Sequence, residues 1–241
     1  MKKIICIINL LCMVAFVQAQ EVKNLVYDAN AEVRKVGSFS GLDVSGAITV
    51  YVSQGNTSGV AISANGGDKA KIVTEVKNGV LHIYTESGFW NKWNWSDKKI
   101  KAYVTVTNLQ KIVLSGACQL NIIDPLKQNN LKLTATGASV VKGSFDVNEL
   151  SIDLSGASNA TLKGKVNSLK IQVSGASVLK GYELNADHCD ASASGASTIR
   201  INVEKSFSKL EASGASSIRY KGNPVIQNIE SSGASSIKKE D

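Results

Sequence analysis

The sequence predicts an all-β fold: a parallel, right-handed β-helix, or β-solenoid, wound from one chain in coils of about 19 residues, with a less regular N-terminal part. The first observation behind this prediction is a recurring [Ser/Thr]-Gly-Ala triplet, at Gly46, Gly116, Gly137, Gly156, Gly175, Gly195, Gly214 and Gly233. From Gly116 onward the intervals are 21, 19, 19, 20, 19 and 19 residues, and such a period indicates a stacked array. The second observation is that apolar and polar residues alternate within each period, which is typical of strands with one buried face.

The N-terminus has the features of an export signal. Lys2 and Lys3 precede an apolar run over 4–17, and residues 17–19, Val-Gln-Ala, form a typical cleavage site. We therefore predict a signal peptide over 1–19, an N-terminal linker over 20–36 and a single β-helix domain over 37–241. Within the domain, 37–108 are predicted as irregular N-terminal coils or a cap, and 109–238 as regular coils. The mature chain is expected to be periplasmic, outer-surface or secreted, with no transmembrane helix.

Numbering each repeat from its glycine defines columns of equivalent residues. Positions −4 and −2 are mostly apolar, as in Ile152 and Leu154, and position +4 is apolar again. Position −1 is Ser or Thr in every repeat, and position +1 is always Ala. In this interpretation the glycine permits a corner, the alanine points inward at that corner, and the serines hydrogen-bond along the stack.

The segment between Gly46 and Gly116 departs from this repeat. It predicts shorter strands over 60–63, 71–76, 80–85 and 100–107, with a hairpin turn at Asn78-Gly79. Because the open end of a β-helix exposes strand edges that pair with other chains, we expect this segment to complete and cap the N-terminal end.

Several of these features together resemble a known family. They are the signal peptide, the segment 41–47 (Gly-Leu-Asp-Val-Ser-Gly-Ala), the Asn78-Gly79 hairpin and the train of Ser-Gly-Ala-Ser repeats. The chain resembles the putative auto-transporter adhesin head GIN domain family over roughly 37–238. The resemblance implies a secreted or envelope β-helical protein, and it implies no catalytic residues.

Two cysteines remain after removal of the predicted signal peptide. Cys118 takes the place that serine holds after Gly-Ala elsewhere, whereas Cys189 takes the place of Leu150 and Leu169 in other repeats. The two belong to different columns and lie several coils apart, at about 4.8 Å per coil, which exceeds the reach of a disulfide. We predict two free thiols, with Cys189 buried as a small hydrophobic residue.

Position +5 is basic in five of the seven repeats that begin at Gly116. Its residues are Asn121, Lys142, Thr161, Lys180, Arg200, Arg219 and Lys238. Stacked at the spacing of the coils, these cations would form a basic stripe that follows a polyanion such as an acidic glycan. The alternative is that they only prevent lateral association of the sheet. The net charge of +7, or +5 without Lys2 and Lys3, is compatible with anion binding and with ordinary solubility.

A second candidate binding site is aromatic. Trp90, Trp93 and Trp95 are the only tryptophans in the chain, and they lie in a polar connection between predicted strands. Exposed aromatic rings suit stacking on sugars, contact with a protein or insertion at a membrane surface. The alternative is that this loop folds back to plug the end of the helix.

Catalysis has little support in the sequence. The run 187–190, Asp-His-Cys-Asp, looks like a metal or nucleophile cluster, but neighbours in a strand point to opposite faces and cannot converge. Acidic residues at position −3, Asp153, Glu211 and Glu230, are the other candidates, and Glu211 and Glu230 should stack one coil apart. Solvated surface carboxylates are the simpler interpretation.

We therefore predict an exported, non-enzymatic, adhesin-like protein of the cell envelope that needs no cofactor and no metal. Its expected partner is a cell-surface glycan or protein, bound through the tryptophan loop or the basic stripe, and no specific nucleic acid is expected. The alternatives are a carbohydrate-active enzyme, similar to a polysaccharide lyase or hydrolase on the same scaffold, and a component that assembles end to end.

Overall fold

The computed structural model describes residues 28–64, 66–86 and 99–241, and these form a β-solenoid of about seven turns. The predicted parallel β-helix with coils of about 19 residues is confirmed. The N-terminal part holds β1 (Glu32–Arg34), β2 (Gly41–Gly46), β3 (Ile48–Gln54), β4 (Gly59–Ser63), a 3-10 helix (Gly66–Lys71), β5 (Ile72–Lys77), β6 (Val80–Thr85), β7 (Ile100–Val106), β8 (Lys111–Gly116) and β9 (Gln119–Ile122). The stack continues with β10 (Leu126–Ala135), β11 (Val140–Leu154), β12 (Asn159–Val173), β13 (Val178–Ala193), β14 (Thr198–Ala212), β15 (Ser217–Lys221), β16 (Val225–Ile226), β17 (Ile229–Ser231) and β18 (Ser236–Lys239).

Each regular coil surrounds a narrow apolar core. In β11 the buried side chains fall into three groups, separated by one run of three and one run of two consecutive residues that are not buried. The groups are Val141; Phe145 and Val147; and Leu150, Ile152 and Leu154. Parallel pairing then stacks like on like, since Leu150 lies opposite Leu169 and Ile152 opposite Ile171. No coil could bury these residues alone, so the core depends on the neighbouring coils.

The glycine of the repeat is required at the corner for two separate reasons. Gly156 has a φ of +76°, a conformation that side chains disfavour. In addition, a Cβ on Gly156 would lie 2.6 Å from the carbonyl oxygen of Gly137, the corner glycine of the preceding coil. That carbonyl accepts a hydrogen bond of 2.7 Å from the backbone N–H of Ala157, which joins the two corners.

The predicted direction of the corner alanine is wrong. Ala138 and Ala157 are exposed, whereas the serine at position +2 is buried, as at Ser139, Ser158, Ser177, Ser197 and Ser216. The reason is that positions +2 and +4 share the inward side of the strand that follows the turn. The buried hydroxyl is satisfied locally, because Ser158 Oγ donates to the carbonyl of Ser155 at 2.9 Å. Ser177 Oγ accepts from the backbone N–H of Ser158 at 3.2 Å, so a serine contact along the stack exists.

The N-terminal coils are stacked in a different order from their order in the chain. β2 pairs in parallel with both β6 and β8, and β3 pairs with both β7 and β9. The coil built from β6 and β7 is therefore outermost, although β2 and β3 precede it in the sequence. Antiparallel strands cover this end, with β5 on β6, β4 on β7 and β1 on β4.

Two details of this end bear on the sequence predictions. The hairpin at Asn78-Gly79 is confirmed, with φ angles of 51° and 73° between β5 and β6. In contrast, β1 lies within 20–36, which the sequence predicts as a linker, and it pairs with β4 through Val33 and Ala61.

Candidate binding face

The strand that follows each Ser-Gly-Ala corner carries the residues of position +5 in one column. Lys180 pairs with Arg200, Arg200 with Arg219, and Arg219 with Lys238. Thr161 separates Lys180 from Lys142 in the same column. The register therefore confirms that these five basic residues are stacked, while a role in ligand binding stays a prediction. We call Lys142, Lys180, Arg200, Arg219 and Lys238 the basic column.

Most of the basic column is without a charged partner. Lys142, Lys180 and Lys238 are exposed, and within 28–64, 66–86 and 99–241 they form no ion pair, nor does Arg200. Strand neighbours lie about 4.8 Å apart, and like charges at this spacing repel each other. These four side chains therefore gain no ion pair within the described coils, and they offer positive charge to an anion.

Arg219 is the exception, because a carboxylate from the C-terminal segment contacts it. Arg219 Nη1 donates to Glu240 Oε1 at 2.5 Å, and the Tyr182 hydroxyl donates to Glu240 Oε2. The backbone N–H of Glu240 donates to the Tyr220 carbonyl at 2.8 Å. The hydrogen bonds from Tyr182 and Arg219, together with nearby positive charge, lower the pKa of Glu240. Burial and the neighbouring carboxylate raise the pKa of Tyr182 to about 12.

Tyr182 reaches this position through an irregularity in β13. Gly181 pairs with Ile201 of β14, but the next residue pair is Asn185 with Asn202, so residues 182–184 of β13 have no counterpart. Against β12 the same strand carries one extra residue, since the offset changes by one after Lys180. β-Bulges of this kind redirect side chains and are common next to functional sites. Here the bulge coincides with the 20-residue interval between Gly175 and Gly195.

A groove runs along this part of the surface. Its volume is about 500 Å³. It is lined by Thr161, Leu162, Lys180, Tyr182, Glu183, Arg200, Arg219 and Glu240. The groove thus joins three members of the basic column to Tyr182 and Glu240, two residues that the sequence analysis missed.

The column becomes aromatic toward the N-terminal end. Asn121 pairs with Tyr51, and Tyr51 pairs with Tyr103 in the outermost coil. The two rings stack with centroids 5.4 Å apart and planes 16° apart. The Tyr103 hydroxyl donates to Asp28 Oδ2 at 2.8 Å, and burial, followed by this contact, raises the pKa of Tyr103. The other predicted aromatic site, Trp90, Trp93 and Trp95, lies outside the described residues.

Both described cysteines are free and buried, as the sequence predicts. Cys118 lies in the serine position of the corner, with its Sγ 3.2 Å from the carbonyl of Ser115. Cys189 lies between Leu169 and Phe207 in the core column. Burial raises the pKa of both thiols, which disfavours the reactive thiolate.

The candidate catalytic residues do not converge. Cys189 points inward, while Asp187 binds Lys205 at 2.8 Å and His188 Nδ1 lies 2.8 Å from Ser206 Oγ on the outer side. In the part of the chain that the structure describes, no group of three or more His, Cys, Asp or Glu residues is arranged to hold a metal ion.

Two of the acidic residues of position −3 are stacked, and Glu211 is bound by neighbouring side chains. Glu211 and Glu230 lie opposite each other in register, as predicted. Glu211 Oε2 is 2.7 Å from Lys209 Nζ and accepts a hydrogen bond of 3.2 Å from Ser192. These contacts, led by the hydrogen bond from Lys209, lower the pKa of Glu211 and keep it ionised.

The fold places the chain among β-solenoid proteins. A family model described as putative auto-transporter adhesin, head GIN domain matches residues 38–224, and the chain belongs to that family. Comparison with curated proteins gives no match.

Solved structures share the architecture. A putative adhesin from Bacteroides fragilis is 24% identical with a TM-score of 0.80, over 87% of this chain and 96% of the other. A putative lipid binding protein from Parabacteroides distasonis is 19% identical with a TM-score of 0.64, over 89% and 98%. A putative adhesin from Parabacteroides merdae is 16% identical with a TM-score of 0.62, over 88% and 95%. At these identities the likeness establishes the fold alone.

Within residues 28–64, 66–86 and 99–241, no helix has the length and hydropathy of a membrane span.

Proposed function

We propose that this chain is an exported, non-enzymatic, adhesin-like protein that binds an acidic glycan of a cell surface along its basic column. The observation that carries the proposal is the register of Lys180, Arg200, Arg219 and Lys238 in four successive coils. Family membership supports an adhesin-like role in the envelope. The engagement of Glu211 by Lys209 argues against an acid–base role for the stacked carboxylates.

A linear polyanion matches this geometry better than a small anion does. The column presents charges on a straight line with the spacing of parallel strands, about 4.8 Å, so that one extended chain can contact several of them. Each contact is weak in water, but several contacts on one polymer act together, and the binding should weaken as salt screens the charges.

The proposal is tested by titrating the mature protein, residues 20–241, with polygalacturonate oligosaccharides at low and high salt. The variant Lys180→Gln/Arg200→Gln/Lys238→Gln removes three charges of the column, and its affinity should fall at least tenfold. The matched control is Lys111→Gln/Lys132→Gln/Lys170→Gln, which removes three exposed lysines of position −5 on another face. The control should stay within about twofold of the unaltered protein, since only its net charge changes.

Two results would contradict the proposal. One is an unaltered protein that binds no acidic oligosaccharide at low salt. The other is an equal loss of affinity in the column variant and its control, which would reduce the effect to net charge. The triple variant Trp90→Ala/Trp93→Ala/Trp95→Ala tests the aromatic loop separately, and lower thermal stability with unchanged binding would identify that loop as a plug.

The compartment is part of the proposal and has its own test. If residues 1–19 are removed as a signal peptide, the mature chain begins at Gln20. Mass spectrometry of the protein recovered from the envelope or the medium measures this directly, and recovery of the uncleaved chain from the cytoplasm would refute it.

A further inference from the structure

We propose that Tyr182, Arg200 and Arg219 form a carboxylate-binding subsite within the basic column, and that the Glu240 side chain occupies this subsite until a carboxylated glycan displaces it. The inference rests on the proposed function and specifies it: the ligand class is a glycan that bears carboxylates, such as a polymer of hexuronic acids.

Glu240 is bound through both oxygens of its carboxylate. Its two oxygens have different donors, the guanidinium of Arg219 on Oε1 and the phenol of Tyr182 on Oε2. A guanidinium donating to one oxygen and a neutral hydroxyl donating to the other satisfy both ends of a planar carboxylate. The donors come from different coils, β13 and β15, so the carboxylate spans the strand that carries Arg200.

A bulge in β13 positions Tyr182. Tyr182 is half-buried and lies outside the buried core, and the neighbouring repeats keep a 19-residue interval without an additional residue. The irregularity spans residues 182–184 against β14 and brings a phenol into a groove that is lined by three cations of the basic column and by the carboxylates of Glu183 and Glu240. This local departure from the 19-residue spacing lies next to Arg200, which forms no ion pair within the described coils.

The Glu240 side chain can be replaced at this subsite by another carboxylate. Glu240 lies two residues after Lys238 of the column, in a short segment beyond β18, and its side chain keeps 31% of its surface exposed. It is held by Tyr182 and Arg219, by its backbone bond to Tyr220 and by the contact of Lys221 Nζ with the Asp241 carbonyl at 2.5 Å. Glu240 brings one carboxylate to the subsite, whereas a polymer brings several and also contacts Lys180 and Arg200. A tethered competitor of this kind lowers apparent affinity because it acts at a high local concentration.

The experiment compares Glu240→Gln with Glu149→Gln in the full mature chain. Both substitutions remove one negative charge, but Glu149 is exposed on a different face, next to Ser168 of the following coil. The probe is tetragalacturonate, titrated calorimetrically at low salt. Glu240→Gln should raise affinity by three- to tenfold, and Glu149→Gln should leave it within twofold.

A second pair of variants isolates the phenol. In the Glu240→Gln background, Tyr182→Phe should abolish the gain in affinity, because the ring is kept and only the hydroxyl is lost. Equal affinities of Glu240→Gln and Glu149→Gln would overturn the subsite, as would full retention of the gain in Tyr182→Phe/Glu240→Gln. Stronger binding of a dextran sulfate oligomer than of tetragalacturonate in every variant would overturn the assignment of the ligand as a carboxylate.

These outcomes separate the two proposals. If the unaltered protein and Glu240→Gln both fail to bind any acidic oligosaccharide, the binding function itself is wrong. If both bind with equal affinity, and the column variant still loses that affinity, the binding function stands and the subsite is wrong.

Discussion

The Ser-Gly-Ala corner and the strand that follows it belong to the same coil, yet they are constrained in different ways. At the corner, Gly156 is fixed by its φ and by the carbonyl of Gly137, and Ser158 is fixed by burial. In the strand that follows the corner, the outward residue at position +5 is Thr161 in this coil and Lys180 in the next coil. Both side chains are exposed, so packing does not constrain either of them. A repeat therefore combines positions that the backbone dictates with positions that are free to carry function.

The largest expected effect is on the corner glycine. Gly156→Ala places a Cβ 2.6 Å from a backbone oxygen at a φ of +76°, and it should lower the free energy of unfolding by about 2–3 kcal/mol or more. Gly37→Ala is the control, because nothing lies within 4 Å of its added Cβ. Urea denaturation of both variants measures the difference, and equal midpoints would refute the account of the corner.

The buried serine should have the next largest effect. Ser158→Ala removes the hydrogen bond that its hydroxyl donates to the Ser155 carbonyl at 2.9 Å, and it should cost about 1 kcal/mol. Ser168→Ala changes an exposed serine of the same coil and should leave stability unchanged. Ser158→Cys should be tolerated, since Cys118 fills the same position in an earlier coil. A larger loss for Ser168→Ala than for Ser158→Ala would contradict the observed directions.

The basic column should show the opposite behaviour. Lys180→Gln and Arg200→Gln remove like charges that face each other and break no ion pair in the described chain, so the thermal midpoint should be unchanged or slightly higher. Differential scanning calorimetry without ligand measures this. A clear fall in the midpoint would mean that the column serves the fold.

The smallest effect concerns pH and the C-terminal segment. The pKa of Glu240 is lowered in the folded protein, chiefly by the hydrogen bond from Tyr182 and then by Arg219. Its contacts therefore stabilise the folded state above the ordinary glutamate pKa of 4.5, and this contribution is lost as the pH falls through the folded value. A carboxyl NMR titration should give a midpoint for Glu240 below 4.5, and Arg219→Gln should raise it. An unchanged midpoint in that variant would show that Arg219 does not hold the carboxylate.

The period of the repeat predicts which residues stack in one column. It does not predict features that depend on single residues, such as which corner side chain faces the core. The columns of Ile152, Cys189 and Lys180 follow from counting 19 residues, and the register agrees. The sequence did not predict which corner residue faces the core. The number of residues in the turn decides whether Ala157 or Ser158 points inward, and the period does not fix that number.

The repeat pattern also does not predict which strands pair at the N-terminal end. β1 has three residues and no periodicity, and the outermost place of β6 and β7 depends on which strands pair across the sequence. The 20-residue interval after Gly175 was visible in the sequence, but its location at Tyr182 and the return of Glu240 to the column depend on three-dimensional contacts.

The constancy of the register has a consequence for how such a protein changes in evolution. A duplicated unit of 19 residues would bring its own corner glycine, its own inward serine and core residues, and one further outward position at +5. The core and the binding face would grow together by one step, without redesign of the antiparallel cap at the other end. Gene duplication can thus change the length of the binding face by whole coils. Single substitutions at position +5 of each coil can change its specificity.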